Sequence, residues 1–62
     1  MKPKFNVGDE VEKCKGYEYP GYVVAVFENR KGGVRYVVES LHSMGMLHIF
    51  NEGQLEEAKY TF

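Results

Sequence analysis

Tyr22-Val23-Val24-Ala25-Val26-Phe27, then Asn29-Arg30-Lys31-Gly32-Gly33, then Val34-Arg35-Tyr36-Val37-Val38-Glu39-Ser40: this stretch decides the fold class. Its first segment is almost continuously apolar and β-branched, the composition of a strand buried on both faces. Its middle is polar and ends in two glycines, which reach the positive φ of a tight reversal without steric cost. Its last segment alternates, with Val34, Tyr36 and Val38 on one face and Arg35, Val37 and Glu39 on the other. Two extended segments around such a turn predict a β-hairpin.

Ahead of the hairpin, Val7-Gly8-Asp9 opens an earlier strand over 10–13, in which Val11 faces inward between wet neighbours. Residues 15–21 hold Gly16, Tyr17, Tyr19, Pro20 and Gly21 and read as a long first loop. On the other side, Met46-Leu47-His48-Ile49-Phe50 predicts a fourth strand. Asn51-Glu52-Gly53 reads as a tight turn with 3₁₀ character, and residues 55–58 as a last short strand. Helical periodicity is nowhere sustained for three turns. The pattern predicts an all-β fold, a small five-stranded SH3-like barrel, because closure removes vulnerable edges. Residues 1–4 and 59–62 read as flexible ends of this single domain.

A chain of 62 residues has room for one domain only. At this size folding buries only about 60% of the surface the unfolded chain exposes, so the core needs support. Cys14 is the single cysteine, which excludes an internal disulfide. Cys14, His42 and His48 fall short of a four-ligand zinc set. Self-association is the remaining stabiliser. Charged residues make up 27% and the net charge is -1, which argues against a dedicated nucleic-acid binder. No apolar run approaches the ~20 residues of a membrane span. Met1-Lys2-Pro3-Lys4 lacks the apolar stretch of a secretory signal, and one free thiol fits a reducing compartment, so a cytoplasmic location is expected.

The fourth strand carries the candidate site. Leu47 and Ile49 share one face, and Met46, His48 and Phe50 the other. If the former pack the core, the latter expose a stripe of two apolar residues flanking a histidine, the mark of an interface or ligand surface. Read by itself His48 is more often a plain surface or interface histidine, and elsewhere too the bland readings are the stronger ones. Cys14 reads as a small buried hydrophobe, His42 as an exposed loop residue, and Glu10, Glu12, Glu56 and Glu57 as solvated strand faces. Lys13 and Lys15 form either an anion-binding spot or a solubilising pair. No P-loop or Rossmann-type glycine loop is present.

Gly8-Asp9-x-Val11-x-Lys13, Gly21 ahead of the second strand, Tyr36-x-Val38-Glu39-Ser40, Gly45 and Leu47-His48-Ile49-Phe50 together resemble the type II dihydrofolate reductases. The match runs from about Phe5 to Ala58 and needs no gap from Tyr36 to Phe50. It implies SH3-like barrels in a homotetramer of 222 symmetry, with one central pore where NADPH and dihydrofolate meet. It implies that His48, Ile49 and Phe50 line the pore as the catalytic segment, with Leu47 beside them in the cofactor site. It also implies that Lys13 attracts the anionic ligands at the pore mouth, that Ser40 lies at an interface, and that the enzyme is insensitive to trimethoprim. The isoleucine whose backbone orients the nicotinamide carboxamide is retained as Ile49. His48 stands where the family has glutamine, Phe50 where it has tyrosine, and Leu47 where it has valine. The family's interface histidine falls on Ser43, one residue from His42.

Hydride transfer asks mainly for two rings stacked at short range, a positioning task that few side chains can meet. The alternative function is a non-catalytic SH3-like module binding protein or nucleic acid, with Tyr17, Tyr19, Pro20 and Phe27 as its binding face.

Overall fold

The computed structural model describes residues 3–58. The expected flexible tail 59–62 lies outside the described residues, as do residues 1 and 2 of the amino-terminal end. The chain forms β1 (Glu10–Lys13), β2 (Gly21–Glu28), β3 (Val34–Ser40), β4 (Leu47–Asn51), a 3₁₀ turn (Glu52–Gln54) and β5 (Leu55–Glu57). All pairings are antiparallel in one sheet of order β4-β3-β2-β1-β5.

The β2–β3 hairpin forms where the sequence predicts it. Asn29 organises the turn: its Oδ1 accepts from the amides of Gly33 at 2.8 Å and Lys31 at 3.0 Å. Gly32 supplies φ +84°, in the region that strains any residue with a Cβ. The two strands stay in register except between Val23 and Ala25, where a bulge gives β2 an extra residue. That bulge revises the reading of β2. Val23 is buried before it and Val26 packs against the core after it, so the inward parity switches from odd to even. The apolar run arises from this switch, and the strand is not buried on both faces. Tyr22, Val24 and Phe27 are exposed on the outer side.

One core serves every strand. Val11, Val23, Tyr36, Val38, Phe50 and Leu55 come from β1 to β5 in turn. Phe5 from the amino-terminal segment and Tyr19 from the first loop complete it. In a flat sheet the edge strands β4 and β5 would lie about 19 Å apart, four strand spacings. Phe50 and Leu55 share a cluster only because the sheet curls over it. The curl does not end in closure. β4 and β5 are the two ends of the strand order and do not pair, so the expected closed barrel is an open, curled sheet. β5 is only three residues long and pairs with β1 on one edge, and its connection to β4 runs through the 3₁₀ turn and not through a strand pair.

Tyr36 ties that bridge down. Its hydroxyl accepts from the amides of Lys4 at 2.7 Å and Phe5 at 3.3 Å, and donates to Glu52 Oε2 at 3.0 Å. Burial, reinforced by the hydrogen-bonded Glu52, raises the phenol above its ordinary value despite the opposing amide bonds. Gly21 marks where strands crowd: a Cβ there would meet Val38 Cγ1 at 2.7 Å and the Glu39 carbonyl closer still.

Candidate functional site

β4 holds four of the five site residues, and its pleat divides them. His48 and Phe50 pair with Val38 and Tyr36, the core-facing residues of β3. Leu47 and Ile49 pair with Glu39 and Val37 on the outer face. Phe50 is 3% exposed, whereas Leu47 and Ile49 are 52% and 61% exposed. The exposed stripe is therefore Leu47–Ile49, and the expected exposed Met46–His48–Phe50 face is corrected. Phe50 fills the core level with Tyr36, so its side chain is no wall for a ligand. Met46 alone of those three stays exposed.

His48 lies between core and solvent. Its ring stacks on Tyr19, centroids 4.4 Å apart at an interplanar angle of 15°, and Phe50 lies 5.9 Å away. The Tyr17 hydroxyl stands 3.5 Å from His48 Nδ1. The Lys13 ammonium sits 4.6 Å from the Tyr17 ring centroid and donates to the Lys15 carbonyl. Lys13 and His48, far apart in sequence, thus flank one exposed tyrosine. Beneath them Tyr19 donates to the Met46 carbonyl at 2.9 Å, with the Val38 carbonyl at 3.3 Å. Burial first, then the neighbouring Tyr17 and Glu39 charges, raise the Tyr19 phenol above its ordinary value, so it remains a neutral donor.

The backbone of β4 adds a feature that side-chain patterns do not carry. The Ser40 amide donates to the Met46 carbonyl at 2.9 Å, which marks 40/46 as a hydrogen-bonded pair. Antiparallel pairs alternate, so 38/48 and 36/50 bond likewise, while Leu47 and Ile49 turn their N–H and C=O away from β3. Among the described residues no further strand pairs beyond β4, so these groups face an open edge. At Asn51 the outward amide is capped by Gln54 Oε1 at 2.9 Å.

A cavity of about 430 Å³ is lined by Tyr19 together with Glu10, Glu12, Glu18, Lys13 and His42, among others. Glu10 Oε2 is buried and has no hydrogen-bond partner among the described residues. Three carboxylates against one lysine do not fit a polyanionic cofactor.

Other expectations are revised. Cys14 is exposed, not buried. Tyr17, Tyr19 and Pro20 do not form one face with Phe27, because Tyr19 packs in the core while Phe27 lies on the outer face. The structural part of Tyr19 was missed by the loop assignment. Its only sequence signal is a tyrosine before Pro20-Gly21, where the chain must dive inward. Among the described residues no helix is long and apolar enough to cross a membrane. No family model matches the chain, and no curated protein matches it.

Proposed function

We propose that this chain is a reductase of the type II dihydrofolate reductase kind, a homotetramer of SH3-like subunits that reduces dihydrofolate with NADPH in a shared pore. The observation that carries this reading is the open edge of β4: at the segment that resembles the family's signature, the Ile49 amide and carbonyl are turned outward and unpaired by β3. A nicotinamide carboxamide needs one donor and one acceptor side by side, which an edge residue supplies. Lys13 adds a cation near the same strand through Tyr17. The exposed Leu47 and Ile49 side chains supply apolar cover that excludes water once subunits meet. NADPH supplies the hydride. The chain's part is positioning: Ile49 orients, Lys13 attracts, and His48, held flat on Tyr19, offers a ring face beside them. Phe50 supports His48 from the core and is left out of the ligand contacts.

The same edge favours the second reading, an interaction module that takes a partner's strand onto β4. One experiment separates the two. NADPH oxidation with dihydrofolate is measured for the parent chain, Ile49→Pro and Ile49→Val, with mass recorded in the same buffer. Proline removes an N–H that β3 does not use, so the fold is retained. The reductase reading expects a tetramer that turns over, about tenfold or more slower in Ile49→Pro and little changed in Ile49→Val. A parent chain that oxidises no NADPH overturns it in favour of the strand-binding module.

A further inference from the structure

Reducing an imine takes two deliveries, a hydride to its carbon and a proton to its nitrogen. The reductase reading accounts for the first and leaves the second without a donor. Beside β4, Tyr17, Tyr19 and His48 carry exchangeable protons. Tyr19 is committed: its hydroxyl donates to the Met46 carbonyl at 2.9 Å, and burial holds the phenol above its ordinary value. Tyr17 is 58% exposed, and its hydroxyl has one partner among the described residues, His48 Nδ1 at 3.5 Å. The His48 ring lies flat on Tyr19 and edge-on to Tyr17, at 15° and 87°. Its other nitrogen, Nε2, has no partner among the described residues. The buried side-chain atom left without a partner is Glu10 Oε2, so Nε2 opens to solvent. Imidazole is the side chain that both holds and releases a proton near neutral pH.

We propose that His48 is the proton donor of the reduction, and that Tyr17 is a positioning residue that keeps Nδ1 protonated and leaves Nε2 as the exchanging atom. The inference rests on the reductase reading and deepens it. In the imidazolium both ring nitrogens carry N–H, so the Tyr17 oxygen accepts from Nδ1–H. As hydride adds to the imine carbon of dihydrofolate, the π electron pair of the C=N bond moves to nitrogen. That nitrogen takes the Nε2 proton, and the imidazolium becomes a neutral imidazole still bonded to Tyr17 through Nδ1–H. Water returns a proton to Nε2 before the next turnover, so each C=N bond reduced consumes one hydride and one proton. Around His48 stand Tyr17 and Tyr19 from the first loop and Phe50 from its own strand. Lys13 of β1 lies beyond them over the Tyr17 ring, and Glu39 of β3 acts on Tyr19. Ordinary phenols, ammonium groups and carboxylates do not change charge near neutral pH, which leaves the imidazole to set the dependence.

The test measures kcat against pH, from about pH 6 to about pH 9, for the parent, His48→Gln, His48→Ala and Tyr17→Phe. Nitrogen NMR spectra of the imidazole rings are recorded on the same chains without ligand, with His48→Gln identifying the His48 signals. Parent activity is expected to fall as pH rises through the imidazole titration, and His48→Gln to be about a hundredfold slower at the acid end. His48→Ala is expected to regain activity when free imidazole is added, which a purely structural role would not allow. Should the alanine variant not fold, the pH profile of His48→Gln carries the test. In the ligand-free spectra neutral His48 is expected to hold its proton at Nδ1 in the parent and to move toward Nε2 in Tyr17→Phe. Neutral His48 protonated at Nε2 in the parent, or a proton position unchanged in Tyr17→Phe, overturns the role of Tyr17. An active parent whose kcat is unchanged in His48→Gln overturns the proton donor and leaves the reductase reading standing. A parent that oxidises no NADPH overturns that reading, and the proton donor with it.

Discussion

β4 and β5 are the two edges of the same sheet, and each anchors to the common core through one buried side chain, Phe50 and Leu55. Beyond that they are finished in different ways. β5 is three residues long, and two of them are glutamates. β4 is five residues long and contains no Asp, Glu, Lys, Arg or proline. Short length and charge are the devices that stop an edge from templating another chain. The chain applies them to β5 and omits them from β4, where exposed Leu47 and Ile49 flank free backbone groups. That contrast is why the proposed association and ligand contacts are placed at β4 and not at β5.

The largest effects come from pulling either edge off the core. Phe50→Ala is expected to cost roughly 3–5 kcal/mol and Leu55→Ala roughly 2–5 kcal/mol, read as lost cooperativity in urea unfolding. In a domain this small either value approaches the whole stability. If Phe50→Ala is tolerated, β4 is not held as described and its division into inner and outer faces fails.

Next comes the bridge between the edges. Tyr36→Phe strips a partner from Glu52 and from the Lys4 and Phe5 amides, at about 1–3 kcal/mol. Its raised phenol also sets a pH dependence. The folded protein holds that proton more tightly than the unfolded chain, so the contribution is full below the ordinary value of 10.0 and is lost as pH rises past it. Chemical unfolding at pH 9 and pH 11 should show the decline in the parent and a shallower one in Tyr36→Phe.

Smaller still in stability is Ile49→Lys, within about 0.5 kcal/mol because the side chain is on the surface. Its effect falls on association: a lysine gives β4 the protection β5 already has, and sedimentation should show a monomer. The smallest change is expected from Glu57→Thr, which weakens the protection of β5 without opening it, since the strand stays too short to template a partner. Light scattering should barely differ from the parent.

The hairpin, the inward face of β3 and Val11 were legible because each follows a period of two beside a turn signal. β2 misled because its bulge is invisible in composition: six apolar residues look doubly buried whether or not the parity switches at Val24. β4 misled for a related reason. Both of its faces are apolar, so alternation alone cannot say which is inside, and only the level pairing of Phe50 with Tyr36 decides it. The site was half legible. The resemblance singled out Lys13 and His48, but nothing in the sequence shows that Tyr17 and Tyr19 join them. Those contacts cross from the first loop to β4 and exist only once the sheet has curled.

Ile49 is the single isoleucine of the chain, so its δ1 methyl gives one isolated reporter on the open edge. A dilution series of methyl NMR spectra, from high micromolar to low micromolar protein, tests the contrast between the edges most directly. The expected result is a concentration-dependent shift or broadening of the Ile49 signal while the Leu55 methyls hold still. An Ile49 signal that stays unchanged across the series, or changes matched at Leu55, contradicts it.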